Sequence, residues 1–201
     1  MTCSSWNARK RWTERLRKES KMDFITAKTP LFLQEALAAE IRTLTAGMKF
    51  FKPAENERTA ELKVYTQNLP KLQKESEDQE ELYGMDYTAD MEEDAVRDCP
   101  WCVVKIDSGS VPGPNEKQHV TMAVQFAAYD NRPENQGHKD IMNLIFMLYQ
   151  RFAKNPVLDR QYTYAGKFDW SLGDEDVHPY FTGAAVLEFE FTGIRRENEY
   201  L

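Results

Sequence analysis

The chain has 201 residues, enough for one good core with extensions, and 41% of them are hydrophobic. Its net charge of −7 and pI near 5.1 argue against sequence-independent nucleic-acid binding, which depends on Lys and Arg neutralising phosphates. No apolar run reaches the ~18 residues of a membrane span, and the odd count of three cysteines does not make a disulfide framework.

Residues 1–21 form a basic extension. Arg9, Lys10, Arg11, Arg15, Arg17, Lys18 and Lys21 outweigh Glu14 and Glu19 there. No apolar stretch follows, so the segment is not read as a secretory signal. It is read as a flexible extension, with a basic docking arm as the alternative. With the reducing cytoplasm as the simplest compartment, residues 22–195 are expected to form one domain. Residues 196–201 are a charged tail.

The first helix is expected over residues 30–44. Thr29 can cap it and Pro30 suits the first helical position. Leu33, Leu37, Ile41 and Leu44 make its apolar stripe, and Gly47 marks its stop. A short strand follows at 61–67, ended by Asn68-Leu69-Pro70. Residues 71–98 carry a large excess of Asp and Glu but lack the order of a calcium loop, so they read as a solvated insert.

A second strand is expected at 101–107, then a loop from Ser108 to Gln118. Residues 119–129 alternate cleanly, with Val120, Met122, Val124, Phe126 and Ala128 on one face. The loop through Pro133 and Gly137 leads into a helix over 141–152, striped by Ile141, Leu144, Ile145, Leu148 and Phe152. Strands at 160–170 and 183–193 close the chain, separated by a loop from Ser171 to Thr182. The last strand sets Ala185, Leu187, Phe189 and Phe191 against Val186, Glu188, Glu190 and Thr192. That alternation fits an antiparallel sheet with helices on one side.

Chemistry-bearing motifs are sparse. Cys99 and Cys102 have C-x-x-C spacing but run into a strand rather than a helix, so the first thiol lacks a helix N-terminus to lower its pKa. For zinc they lack a second ligand pair, since Cys3, His119, His138 and His178 are scattered. His138, Asp140 and the acids from Asp169 to Asp176 match no catalytic arrangement. Asp140 suits the positive end of a helix dipole. No catalytic, cofactor or metal residue is assigned, and no cofactor is expected.

Surface chemistry is richer. The helix 141–152 has a second apolar flank, Met142, Phe146 and Tyr149. Either the first helix or another subunit covers it. Trp170, His178, Tyr180 and Phe181 form an aromatic group that either covers the sheet end or anchors a partner.

Taken in order, these motifs resemble a known family. A helix is followed by a strand ending in Asn68-Leu69-Pro70, an acidic insert, and the strand Pro100-Trp101-Cys102-Val103-Val104-Lys105-Ile106. A strand ending in Tyr129-Asp130 leads to Gln136-Gly137-His138-Lys139-Asp140 at a helix start. Then come Phe168-Asp169-Trp170 and His178-Pro179-Tyr180-Phe181-Thr182-Gly183 before the last strand. Over residues 30–195 the pattern is similar to the tail-terminator proteins of tailed phages and prophages of Gram-positive hosts.

The resemblance implies an α/β (α+β) fold of the lambda type, a mostly four-stranded antiparallel sheet flanked by helices. It implies a homohexameric ring on the last ring of the tail tube. Its partners would be the tube protein, a head–tail connector and, in contractile tails, the sheath. DNA would only pass through the lumen. The protein would be assembled in the host cytoplasm and reside in the virion, without enzymatic activity. Separately from the resemblance, which offers no counterpart for much of the insert, the charge excess of residues 75–94 suggests a loop that faces outward or toward the head and discourages further tube addition. Another head–tail adaptor, and a small thiol-dependent enzyme, are the alternatives.

Overall fold

The computed structural model describes residues 29–53, 57–70, 99–113, 116–173 and 178–193. The expected basic extension, the acidic insert 71–98 and the charged tail lie outside these residues.

Helix α1 spans Pro30–Leu44. The Thr29 hydroxyl accepts from the Phe32 N–H at 3.3 Å, and Pro30 opens the first turn where no donor is needed. Thr45 ends the helix, and Gly47 follows at φ +82°. Helix α2, His138–Lys154, begins three residues earlier than its apolar stripe suggests. Asp140 sits in its first turn, and Arg151 and Lys154 in its last, each favourable to the helix dipole.

Six strands form one sheet: β1 Lys63–Thr66, β2 Trp101–Ser110, β3 Lys117–Tyr129, β4 Val157–Leu158, β5 Tyr162–Leu172 and β6 Tyr180–Thr192. Their order is β1-β2-β3-β6-β5-β4. The expected four-stranded antiparallel sheet is therefore corrected to a mixed six-stranded one. β1 runs parallel to β2, with Val64 beside Cys102, while the other pairs are antiparallel. A parallel pair needs a crossover of about a dozen residues or more, and the chain between Thr66 and Trp101 exceeds that.

Two expected loops are shorter than their sequence suggests. Ser108–Ser110 extend the β2–β3 hairpin past a register shift between Ile106 and Ser108, and Lys117–Gln118 extend β3 along β6. Similarly, β5 reaches Leu172 and β6 starts at Tyr180, so residues read as loop belong to the sheet.

Both helices cover one face of this sheet. Leu33, Leu37 and Ile41 of α1 and Ile141, Leu144, Ile145, Leu148 and Phe152 of α2 share a core with Cys102, Val104, Met122, Val124, Leu187 and Phe189. The 3.6-residue period of the helices and the 2-residue period of the strands thus meet in one apolar layer.

A side-chain amide enters that layer. Gln34 is buried, and its amide donates to Val104 O at 2.8 Å and Gln67 Oε1 at 3.0 Å. Gln67 Oε1 also accepts from the Ile106 N–H at 3.1 Å. This relay ties α1 to β2 at its register shift and meets the requirement that a buried amide be paired.

Candidate interaction surface

Four of the seven residues singled out on the sequence lie on one flank of the molecule, and the remaining three do not. Phe146 and Tyr149 project from α2, with ring centroids 6.2 Å apart. The strand β5 meets them from the side. Phe146 faces Trp170 at 6.5 Å, and Tyr149 faces Phe168 at 5.3 Å. Met142 lies one turn before Phe146 and is half-buried.

This cluster is a firm base with an open top. Phe146, Tyr149 and Trp170 remain 44%, 43% and 49% exposed, which is unusual for rings already in mutual contact. Contiguous exposed aromatics mark binding surfaces more often than solvated ones do. Helix α1 does not cover this flank. It reaches α2 instead through an ion pair between Glu40 and Arg151. Phe168, which the sequence reading left out of the surface, belongs to it. Its place next to Trp170 with one residue between was the available signal.

Tyr180 and Phe181 serve the fold. Tyr180 packs on Tyr129 at 5.3 Å, on the sheet face away from the helices. Phe181 lies under the first turn of α2, against Gly137. A methyl group on Gly137 would run into the Phe181 ring and approach Asp130 Cβ to 2.9 Å. Gly137→Ala is therefore expected to destabilise the domain by about 1–3 kcal/mol, through overpacking rather than backbone strain. Combining it with Phe181→Leu should recover part of that loss in a thermal melt. A wild-type melting temperature for Gly137→Ala would contradict this packing. His178 is exposed at the head of β6, apart from the aromatic flank.

Around the start of α2 lies a second feature that sequence reading missed. Arg132 clasps Asp130 through two nitrogens at 2.9 and 2.7 Å, and Arg58 pairs with Asp140 at 3.0 Å. Both guanidiniums lie over the Phe51 ring, Arg58 at 4.8 Å and Arg132 at 4.9 Å from its centroid. A cleft of about 460 Å³ opens beside them, lined also by Glu134, Lys139 and Asn143. Each guanidinium already faces a carboxylate, so the arrangement fastens Phe51 and Arg58 to the helix start.

The remaining candidates for chemistry separate in space. Cys99 and Cys102 are buried without a disulfide, and burial pushes the Cys102 thiol far up, away from the reactive thiolate. Among the described residues, no group of three or more His, Cys, Asp or Glu is placed to hold a metal. His119 lies on the open sheet face, 3.6 Å from Glu188 and 3.7 Å from Glu190, well away from His138 at α2. No helix among the described residues is long and apolar enough to cross a membrane.

A scan against protein-family models finds no match for this chain, and a search of curated proteins finds none either.

Proposed function

We propose that this chain is a structural protein of a tailed bacteriophage, a tail terminator whose ring caps the tail tube and offers the surface on which the head connector docks. The exposed aromatic flank of Phe146, Tyr149 and Trp170 carries this reading. It supplies an apolar anchor on a rigid element, which an assembling subunit needs. The order of short motifs along residues 30–195 supports the same reading. In it, the flank contacts a neighbouring subunit or the tube. A closed ring then requires a heterologous contact whose rotation closes.

Deleting the gene from a phage that carries it tests the role. Overlong tails, or separate heads and tails, are the expected particles. Normal virions would refute the reading, and tails of normal length lacking only heads would favour a different head–tail adaptor. The flank itself is tested by Phe146→Ser. Because this ring is nearly half exposed, the change should cost only about 1 kcal/mol of stability while blocking assembly at the tube end. An unfolded variant would assign the flank to the core instead.

A further inference from the structure

The two edges of the sheet are not alike. At the β1 edge, Lys63 and Gln67 donate their N–H groups to Pro100 and Val104 of the β2 side. Alternation then turns Val64 and Thr66 outward. Both of their carbonyls are already occupied. Arg42 donates to Val64 O at 2.9 Å, and the Asn68 N–H to Thr66 O at 2.8 Å. These two acceptors of β1 are therefore taken, while β2 runs on past β1 from Asp107 to Ser110 with polar and glycine residues and no apolar ring exposed.

The opposite edge is open over part of its length. β4 pairs only with Tyr162 and Thr163, and Pro156 O takes the Tyr164 N–H at 2.7 Å. Next comes an irregularity between Tyr164 and Phe168, with Gly166 at φ +92°, which bends residues 165–167 away from regular pairing. From Phe168 to Leu172, β5 pairs with β6 on one side. Among the described residues, no hydrogen bond reaches its other side. Asp169, Trp170 and Ser171 are exposed there. Unpaired strand edges of this kind are templates for another strand.

We infer that the Phe168–Leu172 edge pairs with the same edge of a second copy, antiparallel about a two-fold axis through Trp170. The stretch is self-complementary in that register. Phe168 falls opposite Leu172, Trp170 opposite Trp170, and Asp169 opposite Ser171. Apolar residues meet on the helix face, and no like charges stand directly opposite, which would oppose pairing. The same axis brings Phe146 and Tyr149 of one copy toward Trp170 of the other, so backbone edge and exposed rings are covered together. A two-fold contact uses the same edge on both copies, so this pairing closes on itself at the dimer.

The pairing stands without the ring. It rests on the tail-terminator reading only in one respect: the pair is the resting form of the free protein, and the tube end displaces it. Light scattering on the full chain should give twice the 23.4 kDa chain mass. Trp170→Glu should raise the dimer dissociation constant by about tenfold or more while leaving circular dichroism unchanged. Register is tested in a Cys3→Ser background. Asp169→Cys with Ser171→Cys should give a covalent dimer on mild oxidation, because facing strand residues lie within disulfide reach. Asp169→Cys alone should not.

A monomer at every concentration, or a dimer untouched by Trp170→Glu, overturns the pairing. A hexamer in free solution also overturns it, while keeping the ring reading. A cross-linked dimer combined with normal virions after gene deletion does the reverse.

Discussion

Replacing Phe189 by alanine is expected to lower the unfolding free energy by about 3–5 kcal/mol. Phe189 is fully buried in β6, between Val120 of β3 and Tyr164 of β5. Its ring meets Phe152 of α2 edge-on at 5.2 Å, and Tyr164 at 6.2 Å. Phe152 and Tyr164 also touch, at 5.7 Å, so three rings from α2, β5 and β6 close on one another. Removing the central ring takes away its transfer free energy and leaves a cavity that stiff neighbours fill poorly. Edge-to-face contacts worth about 0.5–1.5 kcal/mol each are lost as well. Domains of this size are stable by only about 5–15 kcal/mol, so the variant should be marginal at room temperature. Phe189→Leu, closer in volume, should cost less than about 1.5 kcal/mol. Urea denaturation of both variants measures the contrast, and equal midpoints would contradict the ring cluster.

Arg132→Ala should cost about 2–3 kcal/mol at neutral pH, and the cost should shrink in acid. The Asp130 carboxylate is almost fully buried. Hydrogen bonds from the Arg132 side chain hold its pKa below the ordinary carboxylate value, and burial opposes them. Arg132 N–H adds a bond at 3.2 Å, and the Asp130 N–H is anchored on Pro179 O at 2.9 Å. Truncation leaves a buried charge without its main donors, which is expensive even though Arg132 itself is half exposed.

The pH dependence follows from the depressed pKa. The stabilisation is fully present above the unfolded carboxyl value, near pH 4, and is lost as pH falls through the lower folded value. In the variant, burial without the cation favours the protonated acid, so acidification removes less stability. The gap between the urea midpoints of wild type and variant should therefore narrow below about pH 4. A gap that stays constant across that range would locate the effect in the contact with Phe51, which does not titrate.

Much of this framework was legible in the sequence because it is periodic. The α1 stripe at Leu33, Leu37 and Ile41, and the alternating faces of β3 and β6, are buried as their spacing predicts. Features without a period were not. β4 has two residues, too few to alternate. Arg58 finds Asp140 across 82 positions, and nothing local to either residue announces the pair. The aromatic group was divided for a related reason. Trp170 and Tyr180 are close in sequence, but pairing with Ala185 and Tyr129 puts them on opposite faces of the sheet. A residue's face depends on strand register, and a register shift can reset it: Ile106 lies opposite Met122, but Ser108, two residues on, lies opposite Thr121 on the other face.

The parallel alignment of β1 with β2 sets a lower limit on the length of chain between them. Lys63 lies beside Trp101 and Thr66 beside Val104, and strands in this parallel register cannot be joined by a tight turn, so the connection between Thr66 and Trp101 has to be long. Shortening it to a few residues would force β1 to run antiparallel or to leave the sheet, exposing Val64 and releasing Arg42. Contacts across so long a separation also carry a large closure entropy and form late. In amide exchange, β1 should open before the β3–β6 pair, making this edge the first part of the domain to fray.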